Sequence, residues 1–172
     1  KYYLARLTEK TGLLCERTSP NFVALMNYSR KNRQPFDIEH IIADTYHLYP
    51  EFSRKDDFEK MRNNIGNLIL IEYSVNRSKR DITIEEKMPN YKNQNDLART
   101  LVWQDFPNDN HLRDFAQRYA LTSYSKDFRG PDVNSRALFY WELSKEIWNV
   151  DYFVEIAGLF STEKKEALSQ SL

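Results

Sequence analysis

The chain has 172 residues, with 25 Lys and Arg against 25 Asp and Glu, so its formal net charge is zero. That balance argues against a general nucleic-acid coat, which needs a strong basic excess, but not against an enzyme that grips DNA at one place. The single cysteine, Cys15, excludes a disulfide framework and an all-cysteine zinc site.

In chain order, Ser19 and Pro20 read as the N-cap and first residue of a helix that covers "NFVALMNYSRKN". "QPFDIEHIIA" follows, an apolar, β-prone run behind a proline, and reads as a short strand. The polar stretch "DTYHLYPEFSRKDDFEKMRNN" predicts a helix around Asp56 to Arg62. "IGNLILIEYS" is the second strand signal, and "VNRSKRD" the start of a short helix. Thr83 and Glu86 form a T-x-x-E capping box, whose helix reaches Pro89. From about Asn95 the pattern is helical to the end, through "NDLARTLVWQDF", "NHLRDFAQRYAL", "VNSRALFYWELSKEIWNV" and "STEKKEALSQ". "RGPD" at 129 to 132 is the clearest break. There is no internal repeat and no low-complexity tract. Aromatics make up 14% and glycines number four, which suits a helix-rich globular domain. The reading is α+β, mostly α-helical: one domain over 1–172 with a strand–strand–helix core at about 36–91 and a helical remainder at 92–172.

Polar residues gather at the edges of the two strands. Glu39 and His40 close the first, inside an apolar run where an unpaired ionisable group is costly. Asn67 opens the second. Asn76 and Lys79 lie on the short helix beyond it. The order is E-H, then N, then N-x-x-K. Here the chain resembles the His-Me finger nucleases, also called the HNH or ββα-metal superfamily.

Phosphodiester hydrolysis explains the residue types. It needs an activated water, neutralisation of a crowded phosphate, and help for the departing 3′ oxygen. Histidine can take a proton near neutral pH. A divalent cation can neutralise phosphate and leaving oxygen together, and Mg2+ prefers hard oxygen ligands while keeping several waters. The resemblance implies His40 as general base, and Glu39 and Asn76 as ligands of Mg2+ or, alternatively, Mn2+. It implies that Asn67 braces the loop that positions His40, and that Arg77, Lys79 and Arg80 face the DNA phosphates. Neighbours on a regular strand point to opposite faces, so an irregularity is expected at His40.

The flanks narrow the resemblance. "IEHII", "NIGNLILI", "N-R-S" and "IEEKMPNY" are similar to the HNH domain of GmrSD-type modification-dependent restriction enzymes. Lys87 and Tyr91 match its later Lys-x-x-x-Tyr, and "NSRALFYWELSKEIW" its closing Arg-to-Trp helix through Arg136 and Trp148. The likeness spans about 36 to 148 and is dense only over 36–91. Ala43 stands where the family often has proline, a change in loop stiffness and not in chemistry. The stretch at 44–60 is this chain's own insertion. The resemblance implies a metal-dependent DNA endonuclease, the effector part of a restriction or anti-phage protein, leaving 5′-phosphate and 3′-hydroxyl ends. Its implied partner is an N-terminal nucleotide-hydrolysing sensor domain. The start at Lys1, without methionine, fits a piece of such a longer protein or a processed one.

Plainer readings stand beside these. The motif reads phosphate and not sugar, so an RNA-directed nuclease is an alternative, as is a decayed binding or interaction module. His47 and His111 carry no motif and read as surface or hydrogen-bonded residues. "LFYWELSKEIW" reads as helix core, and Arg136 within it as a structural ion pair. Lys87 and Tyr91 either contact nucleic-acid phosphate or simply pack and hydrogen-bond. No apolar run approaches the roughly 20 residues needed to cross a bilayer, and no secretory signal opens the chain. No membrane partner is expected, and the location expected is the cytoplasm.

Overall fold

The run Leu68–Ile71 is apolar at every position, and such a strand has to be covered on both faces. The computed structural model describes residues 1–17, 19–27, 36–73, 83–122, 124, 128–149 and 158. In it, β1 (Phe36–His40) and β2 (Leu68–Glu72) pair antiparallel, from Phe36 opposite Glu72 to His40 opposite Leu68. Successive side chains leave opposite faces. Ile69 and Ile71 enter one apolar cluster with Phe58, Met88, Tyr91 and Leu101. Leu70 enters a second with Leu4, Leu7, Leu112, Phe139 and Leu143, against which Phe36, Ile38 and Leu68 also pack. The two-stranded sheet is thus a partition between two half-cores built by helices. The fold is α+β and mostly helical.

The helices are α1 (Tyr2–Leu14), α2 (Phe22–Met26), α3 (Lys55–Arg62), α4 (Ile84–Tyr91), α5 (Asp96–Arg99), α6 (Asn110–Arg118) and α7 (Gly130–Ile147). Short 3-10 turns cover Tyr46–Leu48, Ile65–Asn67 and Thr100–Asp105. The sequence pattern leaves α1 unassigned. Its buried stripe is Leu4, Leu7, Thr8 and Thr11, two of them threonines, which weakens the apolar signal. Their burial is tolerated because the Thr8 and Thr11 hydroxyls donate to the carbonyls of Leu4 and Leu7, both at 2.8 Å. The cap of α2 is Asn21 and not Ser19: its Oδ1 accepts from Ala24 N at 2.9 Å, while Ser19 donates to Asp96.

α3 lies where expected, with Asp56 and Asp57 in its first turn and Lys60 and Arg62 in its last, the arrangement the helix dipole favours. The capping box of α4 forms, with Thr83 N donating to Glu86 at 2.9 Å, and the helix continues past Pro89 to Tyr91. "RGPD" proves to be the start of α7: Pro131 sits in the first turn, and Asp132 accepts from Arg129 N at 2.7 Å. The short helix expected at "VNRSKRD" and the segment "STEKKEALSQ" lie outside the described residues. No described helix is long and apolar enough to cross a membrane.

One glycine sets how closely the parts approach. A Cβ on Gly66 would collide with Val133 O and lie 2.6 Å from Ala137 N, both backbone atoms of α7. The turn Ile65–Asn67 therefore rests directly on that helix. At Gly130 the nearest atoms to an added Cβ are side-chain carbons 3.9 Å away. Gly66→Ala is expected to lower stability by about 1–3 kcal/mol or more through forced separation of turn and helix, whereas Gly130→Ala is expected to leave it near the parent's. Urea denaturation of the two variants checks the contrast.

Candidate active site at the end of β1

Asn67 is fully buried, so its amide must find partners inside the protein. Its Oδ1 accepts from Ile42 N at 2.8 Å. Its Nδ2 donates to Ile42 O at 3.3 Å and to Arg62 O at 2.7 Å. Its own carbonyl accepts from Ile41 N at 2.9 Å. One side chain thus fastens the bend after β1 to the end of α3.

His40 is the last residue of β1 and keeps regular pairing opposite Leu68. The irregularity expected at His40 is therefore not there: the bend falls one residue later, on Ile41 and Ile42, and His40 itself is regular strand. Its Nε2 lies 3.3 Å from Asn63 Oδ1. An amide oxygen only accepts, so Nε2 carries the proton in this contact and the neutral ring presents Nδ1 as a lone-pair acceptor. Burial pushes the imidazole below its ordinary pKa, and the charge of Arg62 pushes in the same direction; the Asn63 bond opposes them, Lys87 adds to the lowering, and Asp44 opposes. The balance favours the neutral ring, the form that can take up a proton.

Strand alternation sends Glu39 to the other face, opposite Ile69. There its Oε1 accepts from Lys87 Nζ at 2.6 Å and, at 3.4 Å, from Tyr91 OH. The same ammonium donates to His40 O at 2.7 Å. Lys87 is 3% exposed. Of the two roles open to Lys87 and Tyr91, packing and hydrogen bonding is the one present, and the Lys87 ammonium is not at a surface that phosphate would meet. Burial raises the Glu39 carboxyl pKa above the usual range, against the pull of Lys87, Tyr91 and Arg62.

The remaining sequence candidates divide. Asn76, Arg77, Lys79 and Arg80 lie outside the described residues. His47 is exposed, and His111 is exposed with Glu16 3.8 Å away. Arg136 is buried but makes no ion pair among the described residues. It donates to Thr100 Oγ1 at 3.2 Å and to Tyr140 OH at 3.0 Å, and Tyr140 OH donates in turn to Leu68 O at 2.9 Å. Two neighbours of the site escaped the pattern reading, Arg62 and Asn63. Their only signal is a cation and an amide directly before "NIGN".

Residues 2–127 match the family described as GmrSD restriction endonucleases, C-terminal domain. The chain belongs to this family. The match takes in both strands and the helices α1 to α6, and it ends before α7. No curated protein and no solved structure matches.

A GmrSD C-terminal domain with this site has limited means of holding a cation. Among the described residues no group of three or more His, Cys, Asp and Glu could hold a metal ion, which argues against a closed zinc-type centre there. A hydrated hard cation needs only one or two carboxylate oxygens beside its waters. Glu39 offers one: Oε2 has no hydrogen-bond partner among the described residues, since both of the carboxylate's bonds fall on Oε1. That oxygen is of the hard type that Mg2+ or Mn2+ takes. It also makes the Glu39–Lys87 pair a stability element of the GmrSD domain, with side chains 10% and 4% exposed. Lys87→Met should cost about 3–5 kcal/mol, because it strands a buried carboxylate. Combining it with Glu39→Gln should cost clearly less than the sum of the two single changes. A double-mutant cycle by urea denaturation measures that coupling, and additive losses would count against it.

Proposed function

We propose that this GmrSD C-terminal domain is a divalent-metal-dependent DNA endonuclease of HNH type. The observation that carries the reading is the placement of a neutral-leaning His40, with Nδ1 left as acceptor, at a strand end braced by Asn67, in a chain of a restriction-endonuclease family. His40 Nδ1 takes the proton of a water as its oxygen attacks phosphorus. The P–O3′ bond breaks, the departing O3′ takes a proton from a second water, and the products carry 5′-phosphate and 3′-hydroxyl ends. Glu39, through Oε2, and Asn76 are the proposed holders of Mg2+ or Mn2+. When bound, the cation would supply neutralisation of the phosphate and of the leaving oxygen. Asn67 positions His40 through the bend. Lys87 keeps the Glu39 carboxylate and the His40 carbonyl together and is not itself a phosphate contact. The proposed setting is the effector part of a restriction or anti-phage protein. There a nucleotide-hydrolysing sensor domain, N-terminal to it, selects the target, consistent with a chain whose own net charge is zero.

Supercoiled plasmid and a structured RNA, each with Mg2+, Mn2+ or chelator, form the test. The parent should nick or cut the plasmid only with metal. His40→Ala should slow it by about 10²–10⁴-fold while still binding metal by calorimetry. A plasmid left intact at every metal concentration overturns the reading, and cleavage of RNA alone moves the substrate from DNA to RNA.

Arg77, Lys79 and Arg80 are the proposed phosphate-binding cations. In a His40→Ala background, Lys79→Ala with Arg80→Ala should weaken DNA binding irrespective of sequence. It should reduce the salt slope by about one unit for each phosphate no longer neutralised. Fluorescence anisotropy across a salt series reads this, and an unchanged slope places the DNA surface elsewhere.

A further inference from the structure

We propose that Arg62 is a further catalytic residue, whose guanidinium receives the phosphodiester to be cut beside His40. The inference rests on the nuclease reading. Arg62 ends α3, and its carbonyl is held by Asn67 Nδ2 at 2.7 Å. The neighbouring side chain, Asn63, contacts the His40 ring. The same short segment therefore fixes the base and carries the arginine.

What sets Arg62 apart is the absence of a partner. Every other described arginine has a side-chain hydrogen bond or ion pair: Arg17 and Arg99 reach Asp109, Arg118 reaches Glu146, and buried Arg136 reaches Thr100 and Tyr140. Arg6, Arg54, Arg113 and Arg129 each lie against a carboxylate. Among the described residues Arg62 alone has neither, and its Nε is buried with no acceptor. A guanidinium is always charged and offers a rigid fork of donors. Leaving one half-buried and unpaired is unfavourable unless an anion arrives. Glu39 does not take that place: its hydrogen bonds go to Lys87 and Tyr91, and it forms no ion pair with Arg62 among the described residues. The charge of Arg62 nevertheless acts on both Glu39 and His40, so the guanidinium stands within electrostatic reach of both. A phosphate diester set beside the water on His40 Nδ1 offers two non-bridging oxygens that match the arginine fork bidentately.

The test compares the full chain with Arg62→Gln and Arg62→Lys in plasmid cleavage. Melting midpoints and metal calorimetry are run alongside. Arg62→Gln should lower kcat about 10²–10³-fold with metal binding retained, and Arg62→Lys should recover part of it. In a His40→Ala background, a short DNA duplex should move the Arg62 Nε–H resonance, assigned by its loss in Arg62→Lys. That shift decides the matter if Arg62→Gln proves unfolded. Cleavage by a folded Arg62→Gln within about threefold of the parent overturns the inference and leaves the nuclease reading standing. So does an unmoved Nε–H resonance with DNA bound. A parent that cuts neither DNA nor RNA removes both.

Discussion

The site hangs on the buried amide of Asn67. Three separate pieces of chain meet at it: the bend after β1 through Ile42, the end of α3 through Arg62, and the turn that opens β2. An asparagine can do this because it both donates and accepts, and Oδ1 and Nδ2 together close a two-bond ring on the Ile42 backbone. In a water-free position each of those bonds is strongly directional, and leaving one unmade is costly. Fixing Ile42 fixes the residue two positions earlier, His40, without touching its ring.

That anchoring depends on a second constraint, the approach of α7 to the 3-10 turn. Gly66 lets backbone meet backbone, and Tyr140 on α7 donates to the carbonyl of Leu68. The start of β2 is thereby pressed between the sheet and a helix of eighteen residues. Along the same edge of the strand, Asn95 donates to Leu70 O at 2.6 Å and Gln94 accepts from Glu72 N at 2.9 Å, satisfying groups of a short strand that has only one neighbour. A two-stranded sheet is marginal alone. Here it is stable because both faces and much of its free edge are covered.

Electrostatics then separates two ionisable neighbours. The pleat points Glu39 and His40 apart, so they meet different surroundings. Glu39 faces the Lys87 ammonium and the Tyr91 hydroxyl, and its burial is compensated by charge. His40 faces Asn63 and the field of Arg62, and burial with that field favours the neutral ring. Lys87 links the two by touching the carboxylate of one and the carbonyl of the other.

Much of this was legible in the residues. The apolar run Leu68–Ile71, the capping box at Thr83 and Glu86, and the E-H and N spacing are local patterns, and local backbone chemistry enforces them. The sequence by itself determined which side chains could do acid–base work, and where two strands and most helices would form. It did not show α1 clearly, because two of its buried positions are threonines satisfied by their own helix. It did not show that Lys87 would be interior, nor that Arg62 and Asn63 would join the site. Those facts join residues 48 and 23 positions apart, Lys87 to Glu39 and Asn63 to His40. Only the antiparallel register of β1 on β2, with α3 and α4 both packed into the cluster that covers Ile69 and Ile71, decides which side of the pleat each of them meets. Whether an ionisable group is paired or left free is a property of that three-dimensional neighbourhood. Coulombic and desolvation energies follow distance through space and not along the chain.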